Sequence, residues 1–217
     1  MDLEFSSVNS ELSFIVFTPS FMSYLSSNLL ENDHEFLEKY VSDGIEARRS
    51  IDVKSVVDVS RILHDRLTHG GKLITFGNGG SAADAQHFAA ELSGRFMKER
   101  KSFPAYALTS NTSSLTAIGN DYDFSKVFSR QLDGICSKGD FVVGISTSGN
   151  SPNVIEGIRT ARKIGAFTLA LTGGDGGKVR NEADYCIRVN SDVTPLIQEV
   201  HIAIIHMICY SFDAMLD

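Results

Sequence analysis

Residues 72–84 read KLITFGNGGSAAD: a short apolar run, a glycine-rich turn and the start of an alanine-rich segment. Lys72–Phe76 is short and nearly all apolar, as strands buried on both faces are. Ala82–Leu92 is rich in strong helix formers. Strand, glycine turn and helix in immediate succession form the unit from which parallel α/β sheets are built. The pattern recurs downstream. Ala105–Leu108 reads as a second strand and Phe124–Ile135 as a helix. Phe141–Ile145 (FVVGI) is a third strand, followed by STSGNSPN and a helix over Val154–Ile164. Phe167–Leu171 is a fourth strand, followed by TGGDGG, and Tyr185–Val189 a fifth. A long apolar helix over Pro195–Met215 closes the chain, with Pro195 suited to its first turn. Upstream, residues 33–69 carry apolar residues at helical spacing (Phe36, Leu37, Tyr40, Val41, Ile45, then Val56, Val57, Ile62, Leu63, Leu67) and end at Gly70-Gly71. The expectation is α/β: a three-layer αβα sandwich with a five-stranded parallel sheet and added N-terminal helices.

The bulk properties fit one ordinary globular domain: 217 residues, 42% hydrophobic and 22% charged. A formal net charge of −7 argues against nucleic acid or an anionic membrane as partner. An anionic substrate would then need a local site of backbone N–H groups and hydroxyls. The three cysteines, Cys136, Cys186 and Cys209, form no CxxC pair and read as reduced thiols of a cytoplasmic protein. Residues 13–30 are apolar, but the preceding segment is acidic without Lys or Arg, and Pro19 interrupts the run. The expectation is therefore an irregular lead-in to a helix and not a secretory signal or membrane span, with Met22 as an alternative start.

Ligands bind parallel α/β sheets beyond the C-terminal ends of the strands. Three Gly- and Ser-rich loops stand there, after Phe76, Ile145 and Leu171. In Gly77–Asp84, glycines allow close backbone approach, and Ser81 with Asp84 three residues on suggests a capping-box start to the helix. Lacking the GxGxxG spacing and a Walker lysine, the loop points to neither a dinucleotide nor ATP. Ser146-Thr147-Ser148-Gly149-Asn150-Ser151 offers four hydroxyls before a helix N-terminus, chemistry that wraps a phosphate monoester without a cation. His87 and Glu91 are four apart and share a helix face, which Arg95 continues. Such a pair can hold a metal or move protons, but taken alone it is more simply explained as a surface pair or a structural hydrogen bond. In the last helix, Gln198 and His206 lie two turns apart and roughly 80° around the axis, so both can face one site. His201, between them, reads as a satisfied core histidine.

Taken together, GNGGSAADAQHFAAELSGRF (77–96), AIGNDYDF (117–124), FSRQ (128–131), GISTSGNSPNV (144–154) and IQEVHIAIIH (197–206) closely resemble the phosphoheptose isomerase family of SIS-domain proteins, in order and spacing. The resemblance runs from about Lys72 to the C-terminus. It implies residues 71–217 as the SIS domain, 31–70 as an N-terminal helical region and 1–30 as an extension. It implies an enzyme that converts D-sedoheptulose 7-phosphate to D-glycero-D-manno-heptose 7-phosphate through an ene-diol, the first step of activated-heptose synthesis for lipopolysaccharide, a capsule or another product.

By the same resemblance, Ser146, Thr147, Ser148 and Ser151 would hold the phosphate. Asn78, Gly79, Gly80, Ser81, Asn120, Asp121, Glu91 and Gln198 would contact the sugar. Glu91 and His206 would be the catalytic pair, and His87, Glu91, Gln198 and His206 would hold zinc. It further implies a homotetramer with active sites at subunit interfaces. Leu196 departs from the family pattern, which has Arg there. Two rival readings are a non-catalytic relative that binds the replication initiator and a sugar-phosphate sensor. The first lacks residues like Glu91 and His206, and the second is usually fused to a DNA-binding region, of which residues 1–70 give no sign.

Overall fold

A computed structural model describes residues 29–216; the lead-in over 13–30, all but its last two residues, and Met22 lie outside them. The chain divides between Asp43 and Gly44 into two units. Helix α1, Leu29–Arg49, begins in the first unit. Its Phe36, Leu37 and Val41 are 60–69% exposed, so their helical spacing marks an uncovered stripe and not a buried one.

The second unit holds α2 (Val53–Thr68), β1 (Leu73–Gly77), α3 (Gly80–Ser93), β2 (Ala105–Ala107), α4 (Thr112–Asp121), α5 (Ser129–Ile135), β3 (Phe141–Ser146), α6 (Pro152–Ile164), β4 (Phe167–Gly173), β5 (Tyr185–Val189) and α7 (Thr194–Met215). The helical stretch expected over 33–69 is thus two helices. Asp52 ends the break between them by capping α2, its carboxylate accepting from Ser55 N. The helix expected over 124–135 is a 3₁₀ turn at Phe124–Lys126 followed by α5. Helix α4 has a short apolar face, Leu115 and Ile118 three apart and half-buried against the core, and its start is marked by Asn111, whose side chain accepts from Ser114 N.

All five strands are parallel, in the order β2-β1-β3-β4-β5. The order reverses direction between β1 and β3, which places the loops after those strands at the switch point where such sheets bind ligands. Strands β1 and β3 are buried along their whole length. Their side chains alternate between two cores. On one face Ile74, Phe76 and Val142 pack with Phe128, Leu132, Val154 and Ile158 from α5, α6 and the turn before α5. On the other, α2, α3 and α7 lie together, with Leu63, Phe88, Ile204, Ile208 and Phe212 fully buried. Each such side chain contributes about 1.5–3 kcal/mol by leaving water. Helix α7 is long and apolar enough to cross a membrane by composition, yet 56% of its apolar window is buried in this core. All three cysteines are free, and burial pushes the Cys136 thiol up to about 11.

Candidate functional site

Strand β1 delivers the first loop. A Cβ on Gly77 would come within 2.7 Å of Ser81 O and 2.9 Å of Ile145 O, so only glycine fits where the chain turns into α3. Gly79 has φ +55° and stands as N-cap of α3, with no side-chain cap. The capping box expected from Ser81 and Asp84 therefore does not form. The helix starts two residues earlier than that motif requires, Ser81 is buried in its first turn, and Asp84 Oδ2 is buried without a hydrogen-bond partner. Burial raises the Asp84 carboxyl to about 6, against a smaller opposing pull from His87. Asn78 reaches across the switch point and exchanges two amide hydrogen bonds with Asn153 of α6, at 2.9 and 2.8 Å. The first and second loops are thereby tied together.

The second loop follows β3. Ser146 Oγ and Ser151 Oγ stand 3.0 Å apart, and Ser148 Oγ accepts from Asn150 N. Gly149 has φ +64° and lies against the third loop, where a Cβ would meet Gly176 O at 2.1 Å. Thr147 and Ser148 of the second loop and Gly173, Gly174 and Asp175 at the end of β4 line a cleft of about 680 Å³, floored in part by Ile197 of α7. No Lys or Arg is among its lining residues, and two carboxylates, Asp175 and Asp192, are, so an anion there would have to be held by hydroxyls and N–H groups on the side away from them.

The histidines and Glu91 meet where α3 crosses α7. His87 Nε2 lies 2.9 Å from His206 Nε2 and 2.9 Å from Glu91 Oε1. One donor atom from each of the three falls within 4.8 Å of the others. Two imidazoles and a carboxylate, partly exposed, are a nitrogen and oxygen set suited to zinc, which binds three protein ligands and keeps a fourth position open in catalytic sites. Gln198 lies over the N-terminus of α3, its Nε2 so close to Gly80 that a Cβ there would stand 2.6 Å away. Arg95 is not part of the group; it is exposed and turned toward Glu99 at 3.6 Å. Asn120 and Asp121 are exposed at the end of α4, Asn120 Nδ2 donating to Asp121 Oδ1.

A SIS-domain family model matches residues 23–173. The "Probable phosphoheptose isomerase" of Thermoplasma acidophilum is 54% identical over 176 residues, 81% of this chain and 97% of that protein. This chain belongs to the phosphoheptose isomerase family. The phosphoheptose isomerase of Aquifex aeolicus is 52% identical over 75% of the chain and 85% of its own length. The solved phosphoheptose isomerase of Neisseria gonorrhoeae superposes with a TM-score of 0.79 at 42% identity, covering 84% of this chain and 99% of that one.

Several residues of this family member act on the site without having stood out in the sequence. Asn153 is one. Phe96 is another, its ring stacked on His206 at 5.7 Å. A buried pair, Arg100 and Asp213, holds that segment. Asp213 accepts from Arg100 Nε and from the backbone N–H groups of Met97 and Lys98. Arg100 donates in turn to the carbonyls of Glu91 and Leu92. Burial pushes the Asp213 carboxyl up, but Arg100 and the two N–H donors outweigh it and hold it below the usual carboxylate range. His201 differs from its expected role: it is fully buried, with Nε2 3.1 Å from Thr172 O, but Nδ1 has no partner.

Proposed function

We propose that the chain is an aldose–ketose isomerase that converts sedoheptulose 7-phosphate to the corresponding aldoheptose 7-phosphate. The observation that carries this reading is that one chain of this family holds both a His87–Glu91–His206 group and a hydroxyl loop whose cleft has no Lys or Arg. Isomerisation moves one proton between C1 and C2 and another between their oxygens, through an ene-diol. It needs a base at carbon and a proton carrier at oxygen. Glu91 takes the proton from C1 and returns it to C2. His206 carries the proton between the two oxygens. Ser146, Thr147, Ser148 and Ser151 hold the phosphate, and Asn78, Gly79, Gly80, Ser81, Asn120, Asp121 and Gln198 position the sugar. Anchoring the far phosphate restricts the reacting carbons to one geometry, which is where much of the rate advantage of a bound substrate arises.

His87, Glu91, Gln198 and His206 would hold a zinc ion, which when bound supplies Lewis-acid polarisation of the carbonyl. A carboxylate that shares its charge with a metal is a weaker base, so the two roles of Glu91 compete. The protein works in the cytoplasm as a homotetramer whose subunits meet at the sites. Two uncovered apolar surfaces support that assembly: the α1 stripe, and a groove beside His206 lined by Val53, Val57, Phe96, Met207 and Tyr210.

NMR of the purified protein with sedoheptulose 7-phosphate tests the activity. Appearance of an aldoheptose 7-phosphate is expected, with loss on chelation and recovery with zinc. Glu91→Gln and His206→Asn should each lower turnover at least 10³-fold, on the scale of losing a general acid or base, with unchanged circular dichroism. Full turnover in either variant removes that residue from the chemistry.

A further inference from the structure

His201 sits on α7 between Gln198 and His206, wholly inside the core, and its chemistry is unused by the reaction as proposed. A buried nitrogen without a partner is costly, so an apolar side chain would fill this space at less expense. What histidine adds is one donor, Nε2–H, aimed at the carbonyl of Thr172 at 3.1 Å. The carbonyl fixes the tautomer, since Nε2 must carry the proton to donate. Burial holds the ring well below its usual range, at about 4, so it stays neutral and keeps this arrangement at neutral pH.

The Thr172 carbonyl belongs to the peptide unit that ends β4. The N–H of the same unit, on Gly173, donates to Thr147 O at 2.9 Å. This bond carries the β3–β4 ladder one step past the Ser146–Thr172 pairing, into the hydroxyl loop. One rigid peptide plane is therefore held at both edges: by α7 through His201 and by the loop through Thr147. The contact leaves no slack, since a Cβ on Gly173 would stand 2.3 Å from Ile197 Cδ1 of α7 and 3.0 Å from Thr147 O.

We infer that His201 is a positioning residue, which sets the hydroxyl loop relative to the helix that carries Gln198 and His206 by clamping the Thr172–Gly173 peptide. It never touches substrate. Its effect is on where the phosphate is held relative to the reacting end of the sugar. The inference rests on the hydroxyl loop being the phosphate site.

The test compares His201→Met, which keeps bulk and loses the donor, His201→Gln, whose side-chain amide reaches the ε position, and His201→Asn, whose amide falls short. Expected for Met and Asn is a rise of about tenfold in KM for the sugar phosphate and in the inhibition constant of inorganic phosphate, the scale of one lost hydrogen bond. The turnover number should fall by less than about threefold, and Gln should restore KM to within about twofold of the natural protein. If Met does not fold, Gln against Asn decides. Unchanged KM and phosphate inhibition in Met and Asn overturn the inference, as does an equal rise in Gln, Met and Asn that follows their melting temperatures. Ser148→Ala and Ser151→Ala run alongside. If they raise KM while the His201 variants do not, only the role of His201 falls; if they leave KM unchanged, the phosphate reading falls and takes this inference with it.

Discussion

Gly80 shows how little space the site leaves at single residues. Gln198 Nε2 occupies the volume a Cβ would need, at 2.6 Å. The clash is with the end of a flexible side chain, so it can be relieved by moving Gln198 away. Gly80→Ala should leave the melting temperature within a few degrees, because a helical Gly→Ala change gains about 0.5–1 kcal/mol that offsets the local crowding. The same change should lower zinc affinity and turnover by about tenfold through the displaced amide, on the scale of losing one weak ligand contact. Metal titration together with initial rates checks it, and a variant with natural metal affinity would separate Gln198 from the metal. Asp84 and His201 are the residues at which sequence patterns misled. Asp84 has Ser81 at capping-box spacing, and His201 reads as a satisfied core histidine on an apolar helix. The structure leaves a polar atom of each unpaired because the neighbouring backbone, and not the motif, sets where they point.

Between elements, the coupling of α3 to α7 is made twice. At the exposed side it is the His87–His206 contact. In the interior it is Arg100 and Asp213, whose side chains are only 5% and 7% exposed. Breaking a buried pair by removing one member strands the other charge. Arg100→Ala should destabilise by about 3–5 kcal/mol, while Arg100→Ala with Asp213→Ala should recover part of that loss. Denaturant unfolding of the single and double variants measures it; additive losses would mean that the pair is not coupled. The Arg100 variant should also loosen the turn that holds Phe96 against His206. No strand or helix pattern pointed to this network, because it joins a loop at 97–100 to a helix more than a hundred residues later.

Across the whole molecule, buried titratable groups give stability a pH dependence that can be assigned. His201 has its folded-state pKa lowered to about 4, below the ordinary 6.5, mainly by burial. Above 6.5 neither state binds the proton. As pH falls from 6.5 toward 4 the unfolded chain binds it and the folded chain does not, so stability is lost over that window, on the order of 3 kcal/mol. Asp84 works in the opposite sense. Its pKa is raised to about 6, so between about 3.8 and 6 the folded state binds the proton more readily and acidification stabilises. The difference in unfolding free energy between the natural protein and His201→Met should therefore grow steadily less favourable to the natural protein from pH 6.5 down to 4. A difference that is flat with pH would place the His201 proton elsewhere.

The five strands from Leu73 to Val189, the helices after the first, third and fifth of them, and the three loops at strand ends followed from sequence alone. Short apolar runs, glycine turns and helical spacing are local properties, and local properties are written in neighbouring residues. Strand β5 matched its expected bounds, and α6 and α7 began within a turn of theirs. Helix α4 carried a weaker signal: Leu115 and Ile118 are its only large apolar residues, and they are half-buried against the core. Which side chains meet was decided only by the tertiary structure. His87 and His206 are 119 residues apart, and Asn78 and Asn153 are 75 apart. The sheet order brings those segments together, and the close packing of α3, α7 and the strand ends then sets their contacts to a few tenths of an ångström. The unpaired Nδ1 of His201 follows from the same packing, which no spacing along the chain encodes.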